Sequence, residues 1–246
     1  MLEESLKVVT NISTAAVMSV FTTLHPTFEA IIGPSPRLDL LLERKDYPFA
    51  HEAGVYIPED QTLFITSNQF PDPANPQNKK IQITKVTLAS NGTAVAEEIF
   101  PENVTNANGG VNYKNGILFC SQGDLNVPSG LSFMDICPPY RSSLLLTSFY
   151  GRNFNSVNDV VVHSDGAVWF TDPEYGPQQG ICPPAQNRNQ VYRWEVENGG
   201  GIRAVADGFG RCNGISFSPD EKTVYITDTA QILGNGTLDL TGPASM

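Results

Sequence analysis

The amino-acid sequence predicts an all-β fold, a β-propeller of four-stranded blades, from three observations. A similar block recurs along the chain, the segments between blocks alternate apolar and polar residues, and turn residues punctuate both. The block is clearest in "VNDVVVHSDGAVWFTDP" (157–173) and "CNGISFSPDEKTVYITDT" (212–229), each with an Asn, an apolar strand, a turn, a second strand and Thr-Asp. "HEAGVYIPEDQTLFITSN" (51–68) follows the same plan with Glu52 in the Asn position, and "NANGGVNYKNGILFCSQG" (106–123) with Asn108. Glu52, Asn108, Asn158 and Asn213 are thus spaced 50 to 56 residues apart, a period that marks an array of similar units.

Each block reads as the inner hairpin of a blade. The intervening segments "KIQITKVTLASNGTAVAEEIF", "GLSFMDICPPYRSSLLLTSFY" and "NQVYRWEVENGGGIRAVADGF" alternate around Asn, Pro and Gly and supply the two outer strands. Four antiparallel strands per unit, repeated about an axis, describe a propeller. A Greek-key sandwich is the rival, but it requires no such self-similarity. In a propeller the inner strands begin near the central channel, so Glu52, Asn108, Asn158 and Asn213 are expected to converge there. A carboxylate with neutral amide oxygens is a hard-oxygen donor set, suited to Ca²⁺ or Mg²⁺.

Composition bounds the function. The 246 residues carry a net charge of -11, with 40% hydrophobic and 17% charged residues. This balance fits a globular protein and argues against nucleic acid as a partner, because phosphate binding needs a basic surface. No run approaches the roughly 18 apolar residues of a membrane span, so no membrane partner is expected. At the N-terminus, Glu3 and Glu4 occupy the place of a positive n-region and Asn11 interrupts the apolar stretch, which makes a poor secretion signal. Sequons at Asn11, Asn91, Asn103 and Asn235 suit an extracellular parent. Residues 1–27 are set apart as an N-terminal segment, and 28–246 as the propeller. Cys182 and Cys212 fall in connections entering the same end as Asn213, which allows a disulfide beside the site. Cys120 lies in a strand and reads as a small buried hydrophobe. No Cys-x-x-Cys, P-loop or Gly-x-Ser-x-Gly occurs.

The strings "HEAGVYIPEDQTLFIT", "NANGGVNY", "YGRNFNSVNDVVVHSDGAVWFTDPEYG", "NRNQVYRW" and "CNGISFSPDEKTVYITDT" resemble, in that order, the senescence-marker-protein/gluconolactonase family, closest to its fungal lactonohydrolases. The resemblance covers roughly 28–233. It implies a six-bladed propeller, a divalent cation, usually Ca²⁺, in the channel, and hydrolysis of a sugar-acid or related small-molecule lactone. Carried over by position, Glu52, Asn158 and Asn213 correspond to metal ligands, while Asn108 and Asn158 are expected to meet substrate. The family draws a further metal-binding Asp, also proposed as general base, from a Pro-Asp-Gly motif in the next blade. This sequence has none after residue 233.

The expectation is therefore about three and a half blades, an incomplete propeller with exposed strand edges and impaired activity. "RLDLLLER" (37–44) would be a strand without its closing partner. The catalytic base is unassigned, and the candidates in this chain are His51 and Asp159. Alternation along a strand would send His51 and Glu52 to opposite faces, making His51 a packing residue. Asp159 reads as a cap at the strand start. Asp172 and Asp228 read as repeat turn residues. Two further function classes stand beside lactone hydrolysis: a non-catalytic propeller that binds partners, and an enzyme of the paraoxonase or strictosidine-synthase type.

Overall fold

The structure, a computed structural model, describes residues 21–197 and 200–245. The sequon at Asn11 and the rest of residues 1–20 lie outside the described residues. The chain divides into a unit ending at Leu41 and a second unit, Leu42–Met246. In the first, α1 (Pro26–Ile32) starts at Pro26, whose fixed φ suits a first helical turn, and His25 Nδ1 accepts from Thr27 N–H. Residues 37–44 form no strand. Without a neighbouring ladder, their backbone groups have no reason to hold an extended run.

The second unit is all-β apart from one short helix. β1 (Glu52–Ile57) and β2 (Thr62–Thr66) form a hairpin, followed by a second hairpin, β3 (Phe70–Asp72) with β4 (Asn75–Lys80). β5 (Ile83–Leu88) and β6 (Ala94–Ile99) then complete a sheet ordered β1-β2-β5-β6. The second sheet is a meander of β7 (Ala107–Tyr113), β8 (Gly116–Ser121), β9 (Gly130–Asp135) and β10 (Ser142–Leu146). A two-stranded ribbon follows, β11 (Ser148–Phe149) with β12 (Arg152–Asn153). The third sheet holds β13 (Val160–Val162), β14 (Val168–Asp172), β15 (Gln190–Trp194) and β16 (Ile202–Ala206), with α2 (Tyr175–Gln179) between β14 and β15. β17 (Cys212–Phe217) and β18 (Val224–Asp228) form the fourth, two-stranded sheet. Every pairing within these sheets is antiparallel, and the hairpins fall where the repeat places them.

The sheets stack face to face, and β8 shows how. All six of its residues are buried. Ile117 and Phe119 join a core with Val55, Phe64 and Ile83 of the first sheet. Leu118 and Cys120, on the other face, join Phe154, Val157 and Phe170 next to the third. Period-2 alternation thus carries two cores, one on each side of the second sheet. In the third sheet, Val168 and Phe170 face the second while Trp169 packs toward Ile215 of the fourth. Burying one such Phe or Leu side chain contributes about 1.5–3 kcal/mol, so stacking, more than the ladders alone, holds the sheets in order.

Candidate functional site

The inner strands β1, β7, β13 and β17 are neighbours in turn across the four sheets. Hydrogen bonds to backbone carbonyls pin their starting ends together. Thr66 Oγ1 donates to the Asn108 carbonyl at 3.0 Å, joining the first sheet to the second. Gly109 N–H donates to the Asn158 carbonyl at 2.8 Å, joining the second to the third. Thr171 Oγ1 donates to the Asn213 carbonyl at 2.7 Å, joining the third to the fourth. A Cβ on Gly109 would lie 2.6 Å from the Asn158 oxygen, so only glycine allows that approach.

The same local device recurs at each start. Glu52 pairs with Thr66, Ala107 with Ser121 and Cys212 with Asp228, and in each case the register then slips by one residue. Each slip is a β-bulge, which leaves two residues on the inner strand opposite one on its partner. The bulge pairs are Ala53–Gly54, Asn108–Gly109 and Asn213–Gly214. In the third sheet Asn158 and Asp159 take that place, since Asn158 N–H donates to the Thr171 carbonyl and Thr171 N–H donates to the Asp159 carbonyl. This corrects the sequence alignment at one position. Ala53, at φ 50°, is the structural counterpart of the three asparagines, and Glu52 stands one residue earlier, opposite Thr66. His51 precedes the start of β1, so strand alternation does not govern it, and His51 Nε2 and Glu52 Oε1 lie 3.8 Å apart.

The polar groups at this end differ sharply in how they are satisfied. Asn108 and Asn158 are buried as residues, and among the described residues their side chains have no hydrogen-bond partner. Their amides are not enclosed, however: the enclosed unpartnered side-chain atoms are Gln69 Oε1, Tyr140 Oη and Trp169 Nε1. Among the described residues the half-buried Glu52 carboxylate accepts no hydrogen bond either, and the His51 ring lies 3.8 Å from it. Asn213 donates its Nδ2 to Thr229 Oγ1 at 3.1 Å and leaves its Oδ1 unpartnered. Asp159 is the opposite case. Its Oδ1 accepts from Val160 N–H and its Oδ2 from Ile215 N–H, both at 2.9 Å, so it ties the third sheet to the fourth. Burial, and then the Asp159 charge, push the Glu52 carboxyl up to about 7. Burial raises Asp159 against the pull of those two N–H donors, and lowers His51, which favours its neutral ring.

Asp172 and Asp228 are not turn residues. Each ends the second strand of its sheet and accepts two backbone N–H groups from the chain arriving at the first strand. Asp172 takes Asn155 and Ser156, at 3.0 and 2.8 Å, and Asp228 takes Gly210 and Arg211, both at 2.8 Å. These hooks fix the two residues that lead into Asn158 and Asn213. Thr171 and Thr227 add a second clamp, accepting the Asp159 and Gly214 N–H groups. Sequence reasoning saw the Thr-Asp repeat but not this work, which needs three-dimensional return of the chain. Cys182 and Cys212 are buried free thiols, not a disulfide. Each donates to its own carbonyl, Cys182 to Asn155 and Cys212 to Gln190.

The side chains that stand at these strand starts without a full set of protein partners offer oxygens: the Glu52 carboxylate and the amides of Asn108, Asn158 and Asn213. Amide oxygens without a protein partner that still reach solvent are available to a ligand. One carboxylate with neutral oxygens fits a hard cation. Among the described residues no group of three or more His, Cys, Asp and Glu is arranged to hold an ion, so a His- or thiolate-rich metal centre has no counterpart.

Comparisons with known proteins converge on one family. The family model for the SMP-30/gluconolactonase/LRE-like region matches residues 79–233. The lactonohydrolase oryL of Aspergillus oryzae is 31% identical over 209 residues, which is 82% of this chain and 45% of that protein. A gluconolactonase of Zymomonas mobilis is 33% identical over 103 residues, 40% of this chain and 28% of that one. The chain thus spans less than half the length of these curated relatives. Among solved structures, a gluconolactonase from Xanthomonas campestris aligns with a TM-score of 0.55 at 24% identity, covering 78% of this chain and 58% of that chain. That likeness shows a shared propeller-type fold.

Proposed function

Because this chain belongs to the SMP-30/gluconolactonase/LRE-like family, we propose that it acts on lactones, hydrolysing a sugar-acid or related lactone with a divalent cation, Ca²⁺, held by Glu52, Asn158 and Asn213. The six-bladed form of the propeller rests on the same family resemblance. The observation that supports the site assignment is the pair of amides, Asn108 and Asn158, that have no protein partner among the described residues and remain open to solvent at the end of the inner strands where Glu52 also stands.

A lactone is an ester, so its hydrolysis needs a nucleophilic water, an acceptor for that water's proton, and stabilisation of the oxyanion formed at the carbonyl. A bound hard cation supplies Lewis acidity to the carbonyl oxygen and lowers the pKa of water. Glu52 contributes the negative charge that a dication requires, and Asn158 and Asn213 contribute neutral oxygen donors that leave its charge largely intact. Thr229 holds the Asn213 amide by its nitrogen, which fixes the orientation of that side chain. Asn108 has both an amide donor and an acceptor free for substrate hydroxyls. The water proton goes to His51, whose ring lies beside Glu52, whereas both Asp159 oxygens are already engaged by backbone N–H groups.

The test is lactone turnover by the purified chain in a pH-stat, with Ca²⁺ and with chelator. The expected result is weak hydrolysis of an aldonolactone, in keeping with the impaired activity expected from the sequence, that disappears on chelation. Turnover that survives full chelation would overturn the metal assignment, and no turnover of any aldonolactone would overturn the reaction.

A further inference from the structure

Two insertions leave the sheets at the end that carries the candidate site. The β3–β4 hairpin is inserted after Thr66, the register partner of Glu52. The segment containing α2 is inserted after Asp172, whose carboxylate holds the residues leading to Asn158. Between them stands the second sheet, whose corresponding connection, residues 122–129, is short. Lys79 Nζ, near the base of the hairpin, donates to the Gln179 carbonyl at 2.8 Å, in the last residue of α2. That bond joins the first sheet's insertion to the third's, 100 residues apart in sequence.

Both feet of this bridge are firm. Phe70 of β3 stacks on Tyr47 with ring centroids 4.8 Å apart, and Lys80 Nζ lies 5.4 Å from the Phe70 ring. On the other side, Tyr175 Oη bonds Thr229, and Gln178 Oε1 accepts from Arg211 and from Gly234 N–H. The join is not firm. Lys79 is exposed and Gln179 half-buried, and β4 buries none of its residues. A lysine against the terminal carbonyls of a helix is a favourable but breakable contact. Exposed backbone hydrogen bonds and few buried side chains mark a segment that opens at low cost.

We propose that Lys79 and Gln179 form a latch, closing the hairpin and α2 into a strap across the site end of the second sheet, and that the strap screens by size what reaches Glu52. Lys79 is a specificity-determining residue under this reading. The inference shares the site of the proposed lactonase but does not depend on which reaction occurs there, and its test is independent of turnover.

The experiment places a thiol at the site with Glu52→Cys and compares it with Glu52→Cys/Lys79→Met. The exposed Cys137, outside the strap, serves as the internal reference. Each protein is labelled with a small methanethiosulfonate and with a bulky maleimide. Loss of the latch should raise the bulky-to-small rate ratio at position 52 by about fivefold, the scale of one surface charge-assisted bond, with Cys137 unchanged. Lys79→Arg, which keeps the charge and the reach, should restore the low ratio. In the otherwise native chain, Lys79→Met should speed hydrogen–deuterium exchange at 70–80 and 175–181 and leave β7–β10 as they are. An unchanged labelling ratio overturns the screen, and unchanged exchange overturns the latch. A chain that labels as expected but hydrolyses no lactone would sink the proposed function and leave the strap standing.

Discussion

At residue 109 the limiting quantity is space. The backbone there donates to Asn158, and an added Cβ would meet the Asn158 oxygen at 2.6 Å and Asp159 Oδ1 at 2.8 Å. Gly109→Ala should therefore push the second and third sheets apart at the site, costing about 1–3 kcal/mol in urea denaturation. Gly54 has open space around its Cβ position, so Gly54→Ala should leave stability nearly unchanged. Asp172 offers a complementary test. Asp172→Ala strands the buried Asn155 and Ser156 N–H groups, each worth about 1–3 kcal/mol when left unpaired. Its measured cost should exceed that of Asp165→Ala, because Asp165 is exposed at a turn. At the candidate site, Glu52→Gln removes the charge proposed for the cation, so it should abolish Ca²⁺ heats in titration calorimetry. Asp228→Asn, whose carboxylate bonds backbone, should weaken folding before it weakens binding.

At the scale of the element, β8 is the member on which two cores depend. Phe119 and Leu118 are fully buried on its opposite faces. Phe119→Ala should cost about 3–5 kcal/mol and Leu118→Ala about 2–5, in both cases by opening a cavity. Leu145, in β10, is 40% exposed, and Leu145→Ala should stay within about 1 kcal/mol. Equal losses at all three positions would contradict the stacked arrangement. The main hairpins were legible because their periodicity and turn residues agree, as in "VVVHSDGAVWFTD". The β3–β4 hairpin was not, because "FPDPANPQNKK" has three prolines and hardly any apolar residue, features that argue against a strand. Its ladder is set by where the first sheet ends and by the Phe70–Tyr47 stack. α2 escaped notice for a similar reason, being too short for a helical period to show.

For the whole molecule, a cation bound only by the folded protein must stabilise it by mass action. At a hundredfold excess over its dissociation constant, Ca²⁺ should add about 2.7 kcal/mol and raise Tm in scanning calorimetry. The same addition should leave Glu52→Gln unmoved. A Tm indifferent to both Ca²⁺ and chelator in the parent chain would remove the metal from the proposal. The sign of the site argues the same way. Glu52 and Asp159 sit close enough for one carboxylate to disfavour ionisation of the other, and a cation relieves that repulsion.

The sequence by itself determined the all-β class, the repeating hairpins, the ends at which Glu52, Asn108, Asn158 and Asn213 stand, and the family. These follow from period-2 patterning, turn chemistry and the spacing of similar strings, all of which are local or self-similar. Only the tertiary structure decided that Glu52 stands one residue off the asparagine register, that the His51 ring lies beside it, and that Asp172 and Asp228 hold incoming backbone. It also decided that Cys182 and Cys212 stay apart and that Lys79 reaches Gln179. Each of these depends on a bulge, on where a strand begins or on a contact between segments far apart in sequence, and none leaves a periodic trace in the chain. A bulge shifts facing by one residue without changing composition, and a long-range contact is fixed by how the sheets stack.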